Sequence, residues 1–289
     1  SNKTFRYSLE NSGYGVREIS LEHPVAEDIN IIVLADMRSD FTEEEFRNFD
    51  AYLERGGNLF ILGEPKRQQF MNPVIERLGL RFADGIIVSP SEVNLDDLVA
   101  ANIKEGAAKV SENYIRYFRS GYSIMTPSAC AVEVIDSAKG FEITEVLASA
   151  GKGSWVEKET TDFINEKSVL NPAVGEVEKS NSIMLYLTRP VNNKEQRIFV
   201  IGDADCISTL ELSQNRPGFR SSNFTLITET FRNLSYGEFP VEASRVNPPD
   251  DRVLVTRNVI FGIRVVLMWI IPLLFVTGCI TLLIRRKRK

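Results

Sequence analysis

The sequence is almost without histidine: His23 is the single imidazole in 289 residues, and cysteine is nearly as scarce, at three. A Ser-His-Asp or Cys-His hydrolase would have to work through His23, which sits in Glu22-His23-Pro24 between two predicted strands, where a lone histidine is ordinarily just solvated. Zinc sites built on histidine or paired cysteines are equally unsupported. Cys130, Cys206 and Cys279 are too few for a disulfide framework. No Gly-x-x-x-x-Gly-Lys-Ser/Thr stretch occurs, and Gly151-Lys152-Gly153-Ser154 has the wrong spacing, so the chain is not expected to hydrolyse a nucleotide itself. A Gly-x-Ser/Cys-x-Gly nucleophile elbow is also missing. No enzyme activity, cofactor, metal or nucleic-acid partner is therefore expected.

One stretch lacks charge altogether. Nothing ionisable as a cation or carboxylate lies between Arg264 and Arg285, and the 20 residues Val265 to Ile284 are nearly all apolar, whereas Arg285-Arg286-Lys287-Arg288-Lys289 ends the sequence with five cations. The rest has ordinary globular composition: 43% apolar and 25% charged residues over the whole chain, with a mean hydropathy of −0.11. The net charge of −5 hides a split, since residues 264–289 carry six cations and no acid, leaving 28 Lys+Arg against 39 Asp+Glu, or −11, in the remainder.

At about 1.5 Å per residue, 20 helical residues span roughly 30 Å, the thickness of a bilayer's hydrocarbon core. Thirteen of them are Val, Leu, Ile or Phe, which gives roughly −4 to −8 kcal/mol toward insertion before Pro272, Gly278 and two threonines subtract their share. Pro272 costs less where neighbouring helices satisfy the freed carbonyl, which points to a partner in the bilayer. Trp269 reads as packing or an interfacial anchor. The basic flank places the last five residues in the cytoplasm and residues 1 to about 258 outside it. Ser1 is no initiator methionine, and Ser1-Asn2 reads as a scar with upstream sequence cut away. Asn-x-Ser/Thr triplets at Asn2, Asn223 and Asn233 matter only in a eukaryotic secretory route.

The acidic body alternates strand and helix patterns. Phe5 and Leu9 belong to a short helical pattern that Gly13-Tyr14-Gly15 ends; Val16 to Leu21 and Ile29 to Ala35 read as strands, the second β-branched enough to be covered on both faces. Thr42-Glu43-Glu44-Glu45 is a capping box, with Phe46, Phe49 and Leu53 at helical spacing and Gly56-Gly57 as the left-handed exit. Leu59 to Gly63 is the next strand, Asn72-Pro73 reads as a cap and first turn of a helix that Gly79 ends, and Ile86 to Val88 is a short strand. The rhythm argues for a parallel sheet with helices on both faces. Residues about 90–180 read as an irregular insertion, with a polar helix near Leu95 to Phe118 and short strands at Tyr122 to Met125, Val132 to Ile135 and Glu142 to Leu147. Ile183 to Thr188 and Arg197 to Ile201 restore the pattern, and Asn223 is read as capping a helix with Phe224, Ile227, Phe231 and Leu234 on one face. The expected division is an α/β domain over 1–239, a linker over 240–260 in which Pro240 to Asp251 has linker composition, a span over 261–285 and a basic tail over 286–289.

The sharpest polar cluster is Asp203 and Asp205, directly after the strand ending at Ile201. Ligands of open α/β folds bind outside the carboxyl ends of strands, so two carboxylates there suit a divalent cation or a sugar hydroxyl; alternatively Asp203 caps the turn and Asp205 is solvated. Glu64, after the strand Leu59 to Gly63, is a weaker candidate at the same edge. Ser154-Trp155 reads as an exposed pair whose indole either stacks on a sugar or anchors a packed loop.

Taken in order, Ile31 to Ala35, Phe41-Thr42-Glu43-Glu44-Glu45, Tyr52-Leu53-Glu54-Arg55-Gly56-Gly57-Asn58-Leu59-Phe60-Ile61, Ser154-Trp155, Gly202-Asp203-Ala204-Asp205, Ser222-Asn223 and the closing Leu254-Val255-Thr256, Pro272, Gly278 and Arg285-Arg286 resemble GldG-type auxiliary components of ABC-2 transporters. The resemblance covers residues 14–289 and is thin between 90 and 150. It implies a bacterial inner-membrane ABC system, associated in some lineages with gliding motility. The partners it implies are an ABC permease and a separate ATPase subunit, and the substrate is an exported molecule or glycan. It also implies a Rossmann-like or flavodoxin-like domain, shared with an intraflagellar transport protein and related to class I glutamine amidotransferase folds, whose nucleophile elbow and histidine this sequence lacks. Members usually open the domain with a strand, often after a membrane segment, so an upstream strand is expected.

Overall fold

The computed structural model describes residues 9–136, 139–216, 218–239 and 257–288. Phe5, the Pro240 to Asp251 linker, Leu254 to Thr256 and Lys289 lie outside the described residues. The chain divides into two compact units, Ser1–Val241 and Glu242–Lys289.

The first unit is built on a seven-stranded sheet. In chain order its strands are β1 (Ile31–Ala35), β2 (Asn58–Leu62), β5 (Leu98–Ile103), β6 (Ile124–Pro127), β8 (Glu142–Ala148), β10 (Ser182–Val191) and β11 (Lys194–Ile201); β3 (Leu80–Phe82) pairs with β7 (Val132–Val134) and β4 (Ile86–Val88) with β9 (Trp155–Glu157) in two small antiparallel ribbons. The spatial order is β1-β2-β11-β10-β8-β5-β6. Only β1, β2 and β11 run parallel; every later pair is antiparallel, so the sheet is mixed and the all-parallel expectation is corrected. The switch is a local event. Asn192 and Asn193 both have positive φ, 48° and 64°, which lets a two-residue hairpin turn β10 straight back into β11 where a parallel neighbour would need a crossover.

Helices cover both faces, as expected. Alternation along the buried β2 sends Leu59 and Ile61 to one core and Phe60 and Leu62 to the other. The first core is closed by α1 (Glu43–Glu54) through Phe49, Tyr52 and Leu53, and by α2 (Gln68–Ile75) through Met71, Val74 and Ile75. The second is closed by α3 (Glu112–Arg119) through Tyr114 and by α5 (Asn223–Leu234) through Leu226, Ile227, Phe231 and Leu234. A five-residue helix, α4 (Thr209–Ser213), precedes α5. The capping box is formed in full: Glu45 N–H donates to Thr42 Oγ1 at 3.2 Å and Thr42 N–H to Glu45 Oε2 at 2.7 Å. Gly56 takes φ +87°, and a Cβ on Gly57 would lie 2.2 Å from the Tyr52 ring, whose hydroxyl donates to Asn58 O at 2.8 Å. The Gly-Gly pair is thus both helix exit and the space into which Tyr52 packs.

Several local expectations are overturned by distant partners. Val16 to Leu21 is irregular chain; Arg17 pairs with Asp28, Val16 packs on one core and Leu21 on the other, so the segment crosses between layers instead of pairing. The strand Ile31–Ala35 forms, but at the sheet edge and with Val33 39% exposed, so it is not covered on both faces. Leu98–Ile103, inside the expected polar helix, is a strand because its alternating Leu98, Val99, Ala101 and Ile103 are buried between β8 and β6; only Glu112–Arg119 of that stretch is α-helical. Residues 90–180 therefore supply three strands of the main sheet. Pro73 lies inside α2, which starts five residues earlier, and Asn72 instead clamps Phe82 through both its backbone groups. Asn223 does not cap α5: its amide receives the Met125 N–H and donates to Met125 O and Cys206 O, while Phe224 points outward at 53% exposure.

The second unit is helical. α6 (Arg257–Val265) passes through a π-helical turn, Val266–Ile270, into α7 (Ile271–Lys287). Ile271 N–H reaches back five residues to Val266 O directly before Pro272, which has no N–H to give. Thr277 and Thr281 donate to Leu273 O and Thr277 O at 3.0 and 2.7 Å, which removes the cost of two bare hydroxyls in an apolar setting. Val259–Lys287, 29 residues that include an 18-residue stretch with a mean hydropathy of 2.6, is long and apolar enough to cross a bilayer.

Candidate functional site: an acidic edge at the parallel strands

Register places the carboxyl ends of the three parallel strands side by side, Ala35 opposite Leu62 and Leu62 opposite Ile201. The residues that follow each strand therefore converge: Asp36 after β1, Gly63-Glu64 after β2, and Gly202-Asp203-Ala204-Asp205 after β11. Main-chain bonds hold the edge, with Asp36 N–H to Leu62 O at 3.2 Å, Gly63 N–H to Ile201 O at 2.7 Å and Cys130 N–H to Gly202 O at 2.8 Å. Glycine is required at position 202, where a Cβ would stand 1.9 Å from Cys130 O. Asp36 takes φ 43°, a conformation open to aspartate more readily than to most side chains.

Asp203 is completely buried. Its Oδ1 accepts from the Asp205 and Cys206 N–H groups at 2.7 and 3.2 Å and so fixes the following turn, whereas Oδ2 has no hydrogen-bond partner. Burial first, then the negative charge of Glu64, holds the Asp203 carboxyl well above its ordinary range. Glu64, half-buried, is pushed up to about 7 by desolvation and by the charges of Asp205 and Asp36, against a hydrogen bond from the Ala204 N–H. Asp205, at the surface, is raised by partial desolvation and by Asp36 and Glu211. Among these described carboxylates only Asp36 forms ion pairs, with Arg38 at 2.5 Å and Arg67 at 3.3 Å.

The thiols of Cys130 and Cys206 border this edge. Burial pushes both up, and the neighbouring carboxylates Glu64 and Asp203 add to it, so both remain neutral thiols rather than nucleophiles. Among the described residues no three His, Cys, Asp or Glu groups are placed to hold a metal ion. His23 is exposed in its turn.

The structure thus brings together Glu64, Asp203 and Asp205 and adds Asp36, which the sequence reading passed over although it follows its strand as Glu64 and Asp203 follow theirs. It separates Trp155 from them. The pair Ser154-Trp155 is not exposed: Trp155 packs with Ile86, Val88 and Phe163, and its Nε1 donates to the buried Glu157 at 3.2 Å. Trp155 is the buried first residue of β9, with no open face for stacking.

Comparison with known proteins gives the chain a context. Residues 1–235 match the family described as "ABC-type uncharacterized transport system", ABC_transp_aux. No curated protein matches. Among solved structures the chain is similar to the mmIFT52 N-terminal domain, with a TM-score of 0.56 and 15% identity over 82% of this chain and 91% of that one. At that identity the likeness speaks to the fold alone. A putative ThuA-like protein from Parabacteroides merdae ATCC 43184 aligns at a TM-score of 0.34 and 12% identity over 66% of this chain and 75% of that one, too low to bear on the fold.

Proposed function

The chain belongs to the ABC_transp_aux family of ABC-type transport systems, and from that premise we propose that it is a non-catalytic, membrane-anchored accessory subunit of a bacterial ABC-2-type transporter of the gliding-motility-associated GldG type. The observation that carries the reading is the joining, in one chain, of a transport-system domain and the bilayer-length helix Val259–Lys287. The helix anchors the subunit in the inner membrane. Its basic end, Arg285 onward, stays in the cytoplasm and the acidic α/β domain, residues 1–239, projects into the periplasm across the segment that precedes α6. The π-helical turn before Pro272 supports a helix partner in the bilayer, since such turns leave carbonyls for a neighbour to satisfy.

The subunit docks on the permease, draws energy from a separate ATPase and assists recognition or export of the substrate. The two neutral thiols and the lone exposed His23 support a binding role over a catalytic one. Kinship with class I glutamine amidotransferase-like folds is supported by three parallel strands that carry their polar residues at the carboxyl ends. Glu64, Asp203 and Asp205 are the ligand-contacting groups under this reading.

Affinity capture of the full chain from native membranes in mild detergent tests it. An ABC permease and an ATPase subunit co-purify; recovery of neither above the background of an unrelated single-span protein refutes the assignment.

A further inference from the structure

Among the described residues, three of the four carboxylates at the sheet edge have no cation within ion-pair distance. Among the described residues Glu64, Asp203 and Asp205 form no ion pair, and the nearby guanidiniums of Arg38 and Arg67 are both committed to Asp36. Arg67 and Arg38 act on Glu64 only at longer range, without an ion pair. The deepest of the three, Asp203, is completely buried, and its Oδ2 is without a hydrogen bond while Oδ1 is fully engaged. Buried carboxylate oxygens are ordinarily paired or hydrogen-bonded, because taking a charge out of water unaided is expensive.

We propose that this edge is a binding site for an organic cation, an alkylammonium or guanidinium group, with Asp203 Oδ2 at its floor and Glu64 and Asp205 at its mouth. The mouth is accessible, since Glu64 is half-buried and Asp205 lies at the surface. A metal ion suits the site less, because it needs several ligands converging at a fixed radius and no three such groups are so placed among the described residues. Neutral sugar hydroxyls would satisfy Oδ2 but would not stabilise the ionised form of the carboxyls. An ammonium or guanidinium donates several N–H bonds over a looser geometry and neutralises the carboxylates at the same time. All three carboxyls are held above their ordinary range by desolvation and by neighbouring negative charge, which Arg67 offsets only in part at Glu64. The same chemistry is presented by a basic side chain of a protein partner and by a small amine; the site's assignment to an organic cation stands apart from the transporter reading.

The test titrates the full chain in mild detergent with agmatine, which carries both groups, and with butylurea as the uncharged control. Saturable one-to-one binding of agmatine at low salt, without binding of butylurea, is expected, weakened at least 10-fold in Glu64→Gln and in Asp205→Asn. These two positions are not fully buried, so their variants fold even if Asp203→Asn does not. Asp28→Asn, at an exposed ion pair elsewhere, should bind as the wild type does. Absence of saturable binding, or binding that Glu64→Gln and Asp205→Asn leave unchanged, overturns the proposal. A second arm identifies the source: if capture from native membranes loses a protein partner in Glu64→Gln, the cation is that partner's side chain; if capture is unchanged while agmatine binding is lost, it is a small amine.

Discussion

Glu64 is where a single residue's environment has a measurable consequence. The folded state holds its proton up to about pH 7, whereas the unfolded chain releases it in the ordinary carboxyl range. With the folded value raised, this contribution to stability is fully present below the unfolded value and is lost as pH rises through about 7. Glu64→Gln carries no such dependence. It should equal wild type near pH 4 and exceed it at pH 8 by roughly 1–3 kcal/mol, the range allowing for the solvent screening of a half-buried group. Urea melts at the two pH values check this; a variant less stable than wild type at pH 8 contradicts it. The residues of this site were legible in part. Glu64, Asp203 and Asp205 stand out because each closely follows a recognisable strand. Asp36 carries the same signal, directly after its strand, and its remote partner Arg67 is announced by no local pattern. Trp155 misled, because Ile86 and Val88, against which it packs, lie far earlier in the sequence.

At the scale of elements, what is local was readable. The Thr42 capping box and the Gly56-Gly57 exit of α1 are set by neighbours three or four residues away, and both form as the sequence pattern requires. Thr42→Ala should cost about 1 kcal/mol, read as a shifted urea midpoint with unchanged slope. Gly57→Ala should cost more, about 1–3 kcal/mol, because the new Cβ displaces a buried Tyr52 ring that has nowhere to go; a neutral outcome would mean that Tyr52 repacks freely. Elements decided by remote partners were not readable. Leu98–Ile103 contains two adjacent alanines and a polar neighbourhood, and only its pairing with β8 and β6 makes it a strand. Ile31–Ala35 has the β-branched composition of a central strand, yet its place at the edge depends on the order of the whole sheet. Asn223 sits where a cap is expected and is drawn inward by the backbone of Met125, 98 residues away.

For the whole molecule the charge asymmetry is the most informative feature. A net charge of −5 combines an acidic body with a basic-ended apolar helix, and that separation supports the orientation assigned above. A reporter active only in the cytoplasm, fused after Lys289, should be active, and one fused before the α/β domain should not; the reverse pattern would invert the topology. Truncation before Arg257 should release the remaining chain from the membrane fraction without unfolding it, because the described residues of its two main cores all lie before that point.

The central claim, an accessory subunit held on a transporter, is tested most directly by the intact mass of the detergent-solubilised assembly from native membranes. The account predicts a species exceeding the 32.6 kDa chain by the mass of a permease and an ATPase, lost when residues 257–289 are deleted. A chain recovered only alone, or in multiples of its own mass, would contradict it.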